Sequence, residues 1–354
     1  MHCLVKAHPA FADVPLSYLA LPGAENAGTF NLDPQAFDTQ AGSACTTIDA
    51  GASVGAAKAQ RFSTTQDQTI AQQLDGGVRW IDLQVGYNGG GNPITGWRVV
   101  QNLYSNWPLS EYLDQVANWA SQHTTETVIV DLSSICYDHD PTPAVDRGLW
   151  ANFATKSAEG AGPETIANVA VNPNSFGGSL ATATLGDLTK PGHNVAVLVP
   201  ATALDWRDLS HVYHVEPFRT TPPGTASSGS TLVEHSEPMV APTSPTQFPT
   251  ANSDLGTFPT TANPPLGSLH GKGLYVSNLA YELKGASATQ QTTIFALFVG
   301  LVVSQGIFKA WMSGLWNGAY GQILATWGDA TNVVLADGVE QGGFVAQVIE
   351  RNGR

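Results

Sequence analysis

Leu21-Pro22-Gly23-Ala24-Glu25-Asn26-Ala27-Gly28-Thr29 closes an apolar run over residues 14–21 that predicts a first β-strand. Proline removes a ladder donor and glycine permits a turn, so Pro22-Gly23 is expected to end that strand. The polar pair Glu25-Asn26 then falls at the strand's C-terminal end. A barrel of parallel strands carries its chemistry at that end.

Working outward, residues 65–74 predict a helix with Thr65 as N-cap and Ile70, Leu74 and Ala71 as its apolar stripe, stopped by Gly76-Gly77. Residues 78–85 predict a strand, and period-2 alternation puts Trp80, Asp82 and Gln84 on one face. Residues 97–104 predict the next strand. Residues 109–120 carry apolar side chains at helical spacing, with Ser110 as expected N-cap. A buried strand over 126–132 ends near Asp131, further strands are expected at 192–199, 273–279 and 332–340, and a last helix at 344–349.

Together these stretches resemble the phosphatidylinositol-specific phospholipase C superfamily. The family's opening motif reads Pro-Gly-Thr-His-Asp-Ser-Gly-Thr. Pro22, Gly23, Gly28 and Thr29 match it, while Glu25 and Asn26 stand at its histidine and aspartate. Residues 66–85 resemble the family segment Gln-x-x-Ser-Ile-x-x-Gln-Leu-x-x-Gly-Val-Arg-Tyr-x-Asp-Leu-Arg-Val. Asp82 matches the aspartate, and Gln84 stands where many bacterial members carry a charge-offsetting arginine. Gln101, in Val99-Val100-Gln101-Asn102-Leu103-Tyr104, occupies the place of the second catalytic histidine. Asn332 to Glu340 is similar to the closing strand, with Asp337 at its end. The resemblance implies an α/β fold: a distorted TIM-type (β/α)8 barrel of PLC-like phosphodiesterase architecture. It implies a single domain over 1–354, with long loops at 31–64 and 217–270 over the strand ends.

In the family two histidines act as general base and acid on a phosphodiester, and an arginine or a calcium ion offsets its charge. This chain has neither histidine and no such arginine, and loss of one such group costs about 10² to 10⁴ in rate. The expected protein is therefore not a working phosphatidylinositol phospholipase C. Its mouth is expected to serve cofactor-independent acid/base chemistry (proton transfer, elimination or cyclisation) on a neutral or cationic small molecule. Glu25, Asp82 and Asp337 are the candidate catalytic groups. Asn26, Trp80, Gln84, Gln101, Tyr104 and Asp131 are the candidate binding groups, and Trp80, Trp97, Tyr104 and Trp107 the candidate aromatic wall. Like-charged carboxylates in a partly apolar pocket raise one another's pKa, which yields a usable acid or base. Two other readings stand beside this one: a pseudoenzyme that binds a ligand or partner through the mouth, and a metal-dependent phosphodiesterase. No cofactor and no metal is assigned. His211, His214 and Glu216 do not share one face of a strand or a helix, so their spacing lacks a ligand set.

A net charge of −14 argues against nucleic acid and anionic membrane surfaces, both of which need clustered Lys and Arg. The apolar stretch at 294–303 is too short to span a bilayer. Residues 293–303 are expected to form a buried helix, with a homodimer interface through 294–320 and, last, an interfacial membrane helix as the alternatives. Residues 217–270 are rich in Pro, Thr and Ser, which excludes a regular helix or a central strand. Cys3, Cys45 and Cys136 leave both one disulfide and a fully reduced protein open. The first residues show no apolar leader, and the expected location is cytoplasmic.

Overall fold

In a computed structural model the chain is described at residues 9–37, 59–60, 63–89, 92–132, 134–136, 143–154, 156, 164–173, 180–189, 192–200, 213–215, 232–235, 239–240, 273–278, 281–282, 333–340 and 343–353. Its elements in chain order are β1 (Leu21–Ala24), β2 (Leu32–Phe37), α1 (Ile70–Asp75), β3 (Trp80–Asp82), β4 (Val85–Tyr87), β5 (Trp97–Gln101), β6 (Leu103–Pro108), α2 (Leu109–Gln122), β7 (Val128–Asp131) and β8 (Ile135–Cys136). Then follow α3 (Pro143–Ala154), α4 (Ile166–Val169), α5 (Leu185–Leu188), β9 (Val195–Pro200), β10 (Tyr213–Val215), β11 (Leu232–His235), β12 (Met239–Val240), β13 (Gly273–Asn278), β14 (Tyr281–Glu282), β15 (Val333–Ala336) and α6 (Phe344–Glu350).

Eight strands form one sheet in the order β10-β9-β7-β3-β1-β15-β13-β11, and every pairing in it is parallel. This is the distorted (β/α)8 barrel that the sequence predicts. Both faces of such a sheet are covered, so its strands read as nearly continuous apolar runs, as at 195–199. Alternation sorts the side chains. Leu21, Trp80, Ile129, Leu198, Leu274, Val276, Val333 and Leu335 pack together on the inner face. Ala24, Ile81, Val130, Val197, Val334 and Ala336 point the other way, into a core shared with Leu74, Val116, Ala120, Phe344 and Val348. Gly23 is inner-facing for want of space: a Cβ there would come within 2.5 Å of Leu335 Cδ2 and 3.2 Å of Trp80 Cβ.

A second sheet, β2-β6-β5-β4-β8, stands beside the barrel. It corrects three expectations. The strand predicted over 78–85 is two strands in different sheets. The chain leaves the barrel after Asp82, where Leu83 N–H donates to Asp131 O at 2.9 Å, and Val85 N–H then donates to Ser134 O at 2.9 Å. Residues 97–104 likewise form the hairpin β5–β6, turning at Asn102 with φ 59, a left-handed backbone that asparagine tolerates. Residues 31–64 are not loop throughout, because β2 pairs with β6.

Other boundaries shift for local reasons. The strand expected over 14–21 lies later: Pro9–Asp13 and Leu16–Tyr18 form 3₁₀ turns, and β1 begins at Leu21 and runs through Pro22-Gly23, which were expected to end it, while Leu16, Leu19 and Leu21 bury together. The first helix starts later than expected: Thr69, not Thr65, is its N-cap, in a reciprocal capping box with Gln72. In α2 the cap position is Pro108, and Ser110 lies inside the helix with its N–H donated to Asn152 Oδ1 at 3.1 Å. The Pro-rich 217–270 stretch contributes β11, a terminal rather than central strand, and β12. His214 lies on β10; His211, Glu216, Cys3, Cys45 and all of 294–320 lie outside the described residues. Among the described residues no helix is long and apolar enough to cross a membrane.

Beneath the barrel, Arg79 and Glu126 form a buried ion pair at 3.1 Å. Arg79 Nη1 also donates to Leu74 O and Val78 O, and the guanidinium lies 4.7 Å above the Trp119 ring. Burial lowers the Arg79 pKa, and Glu126 pulls it back up. Trp119 stacks on its other side against His123, with ring centroids 4.0 Å apart. This cluster belongs to the N-terminal ends of the strands, the end that carries stability in such barrels.

Candidate functional site

Four adjacent strands end in carboxylates. Asp82 and Asp131 are register partners on β3 and β7. Ala24 pairs with both Ile81 and Ala336, so the next residues, Glu25 and Asp337, continue the same level on β1 and β15. Alternation from Trp80, Ile129 and Leu335 places Asp82, Asp131 and Asp337 on the inner side, and alternation from Gly23 does the same for Glu25. The order across the mouth is Asp131, Asp82, Glu25, Asp337. Glu25, Asp131 and Asp337 are buried. Asp82 is partly accessible.

The turn after β1 is shaped to serve this arc. Asn26 adopts φ 45, a left-handed conformation open to asparagine. Its N–H then points back and donates to Asp82 Oδ2 at 2.9 Å, while Ala27 N–H donates to Asp82 O at 2.8 Å. Asp82 is pushed up to about 7, first by burial and then by the charge of Asp131, with the Asn26 N–H opposing both. A carboxyl with that pKa, reachable from solvent, can both accept and return a proton near neutrality.

The other predicted residues are dispersed. Trp80 fills the inner core two residues below Asp82. Gln84 stands at the corner between β3 and β4, where its carbonyl accepts from Val100 N–H at 2.9 Å, one residue before Gln101. Both glutamines are half-buried. Tyr104 packs with Val100 and Cys136, and its hydroxyl donates to Tyr87 O at 3.2 Å. Trp97 lies in the outer core, and Trp107 packs on Phe30 and Tyr112. The four aromatic residues therefore do not form one wall at the mouth. Among the described residues no three His, Cys, Asp or Glu side chains gather as a metal-binding group.

One residue at the mouth escaped the sequence reading. Gln66, expected inside a helix, lies instead in an extended segment and bonds the ends of β1 and β15. The family segment quoted above carries glutamines at the positions of both Gln66 and Gln73, and that was the available signal. Gln73 is also structural: its Nε2 donates to Ala27 O at 2.8 Å.

Polar groups at the C-terminal ends of parallel strands are the common plan of (β/α)8 barrels, and comparison with known proteins finds the phosphatidylinositol-specific phospholipases C similar. The family model of the phosphatidylinositol-specific phospholipase C X domain matches residues 48–146. The chain is 29% identical over 124 residues to PI-PLC X domain-containing protein 1 of Danio rerio, covering 34% of this chain and 40% of that protein. It is 27% identical over 157 residues to the Mus musculus protein of the same name, covering 43% and 45%. The matches thus span less than half the length of these curated relatives. Solved structures of the Staphylococcus aureus phosphatidylinositol-specific phospholipase C share the fold, one with TM-score 0.57 at 13% identity, covering 96% of this chain and 94% of that one, and its F249X mutant with TM-score 0.56 at 16% identity, covering 96% and 95%. Residues 48–146 are thus similar to the phosphatidylinositol-specific phospholipase C X domain, and the chain shares the fold of the solved phospholipases; Glu25 and Gln101 stand where the resemblance places the two catalytic histidines.

Proposed function

We propose that the barrel mouth performs proton-transfer chemistry on a neutral or cationic small molecule and does not cleave phosphatidylinositol. The observation that carries this reading is Asp82: accessible from the mouth, yet held at a pKa of about 7 by burial and Asp131. Asp82 would exchange the substrate proton. Glu25 and Asp337, on the neighbouring strand ends, supply negative potential that repels a phosphodiester and attracts a cation. Gln101 cannot shuttle a proton, but it can orient a substrate through its amide. Elimination, isomerisation or cyclisation fits this equipment, since none needs a group beyond an acid and a base.

A second reading, a ligand-binding pseudoenzyme, is favoured by Gln101 alone, which replaces one of the two proton carriers by a group that only hydrogen-bonds.

The test pairs thermal-shift screening with a cleavage assay, using wild type and Asp82→Asn. Inositol phosphates, amines and neutral metabolites form the panel, and phosphatidylinositol vesicles are the assay substrate. The proposal expects no lipid cleavage, stabilisation by a neutral or cationic compound, and turnover of that compound that is lost in Asp82→Asn. Binding without turnover would favour the pseudoenzyme. Cleavage of phosphatidylinositol by the wild type would overturn both readings.

A further inference from the structure

We propose that Gln66 is a positioning residue that fixes Glu25 and Asp337 relative to each other across the seam between β1 and β15. Gln66 is 1% exposed. Its Nε2 donates to Glu25 O at 2.9 Å and to Ala336 O at 2.8 Å, and its Oε1 accepts from Val339 N–H at 3.3 Å. One amide group thus bonds the backbone of one carboxylate residue and both flanks of the other.

The location of these bonds matters more than their number. The β1–β15 ladder runs from Leu21 and Val333 to Ala24 and Ala336, followed by one last bond from Glu25 N–H to Ala336 O at 3.1 Å. Glu25 and Asp337 lie at and beyond that end, where nothing in a regular sheet would keep the strands from splaying. The amide of Gln66 replaces the missing rungs. Its own place is fixed in turn: Thr65 N–H and Gln66 N–H both donate to Thr29 Oγ1, at 3.1 and 3.2 Å, and Gly338 N–H donates to Thr65 O at 2.8 Å.

The same segment reaches the second sheet. Gln60 Nε2 donates to Leu32 O at 2.6 Å on β2, and Asn102 Nδ2 donates to Ser63 Oγ at 3.0 Å at the β5–β6 turn. Gln60, Ser63, Thr65 and Gln66 therefore tie the hairpin that bears Gln101 to the strand ends that bear Glu25 and Asp337. A buried glutamine that served stability alone could satisfy its amide anywhere. This one spends all three bonds on the backbone that aims two carboxylates.

The inference gains its functional meaning from the acid/base reading of the mouth, but its test involves no substrate, so the two can fail separately. Side-chain carboxyls are titrated by ¹³C NMR in wild type and Gln66→Leu, with circular dichroism to confirm the fold. Positioning expects the Glu25 and Asp337 midpoints to move by about half a pH unit or more, while the Asp82–Asp131 pair keeps its own. A folded Gln66→Leu in which Glu25 and Asp337 titrate as in wild type overturns the proposal. Should that variant not fold, the wild-type Gln66 side-chain amide resonances decide. Slow solvent exchange and shifts that follow the Glu25 and Asp337 titrations support positioning; resonances indifferent to those titrations overturn it.

Discussion

Asp82 and Asp131 face one another in register across two parallel strands, and the second raises the pKa of the first. A carboxyl with a raised pKa holds its proton more tightly in the folded chain than in the unfolded one. Its contribution to stability is therefore fully present below its ordinary value of 3.8 and is lost as pH rises through about 7. Asp82→Asn should flatten the stability profile between about pH 4 and pH 7 and raise the melting temperature above that window, by roughly 1 °C for each kcal/mol regained. Thermal melts across pH check this; an unchanged slope in the variant would show that Asp82 titrates as an ordinary carboxylate.

Removing one partner of a buried ion pair leaves a charge stranded. Glu126→Gln should destabilise the fold by about 3 kcal/mol or more, since Arg79 keeps its burial and loses its counter-charge. Replacing both residues by apolar ones of similar volume should cost less than the single change. Urea unfolding of the two variants gives the comparison, and a milder single than double mutant would contradict it.

At Gly23 an added methyl would press on Leu335 and Trp80 inside the barrel. Overpacking of this kind costs about 1–3 kcal/mol. Gly23→Ala should lower the urea midpoint accordingly, and pairing it with Leu335→Ala should recover part of the loss by vacating the contact. A Gly23→Ala protein as stable as wild type would mean that the inner core yields freely.

Cys136 is disulfide-bonded. Of the two alternatives that the sequence leaves open, the structure takes the disulfide. Alkylation of the unfolded, unreduced protein should find one free thiol among its three cysteines, and three after reduction. Three free thiols without reductant would show that the bond does not form in solution.

The barrel was legible because period-2 patterns and the Pro22-Gly23 to Thr29 frame depend on local chemistry: an inner Trp80 and Ile129 against an outer Ile81 and Val130. The carboxylate arc was legible for the same reason, since each strand's alternation carries its last polar residue inward. What local pattern does not encode is which sheet a strand joins. Leu83 and Gln84 look like a continuation of β3 until the Asp131 and Ser134 carbonyls draw the backbone aside. The role of Gln66 was hidden similarly, because its three partners lie 41, 270 and 273 residues away in the chain. The aromatic residues misled for a different reason: Trp97 and Trp107 are near Gln101 in sequence, yet their size draws them into cores where most area is buried.

Asn352 holds the other end of the seam: its Oδ1 accepts from Ala20 N–H at 2.7 Å and its Nδ2 donates to Ala20 O at 2.9 Å. The Gln66 clip to β15 and the Asn352 clip, which holds the C-terminal turn against the start of β1, thus both wait for residues 333–352. During synthesis β1 can pair with β3, and β3 with β7, long before β15 leaves the ribosome, so one flank of β1 stays bare for most of the chain's emergence. Closure of that flank joins residues more than three hundred positions apart (332 for Asn352 and Ala20), the kind of contact that slows folding. Until β15 is made, β1 therefore keeps an unpaired edge, the kind of edge that can pair with another chain.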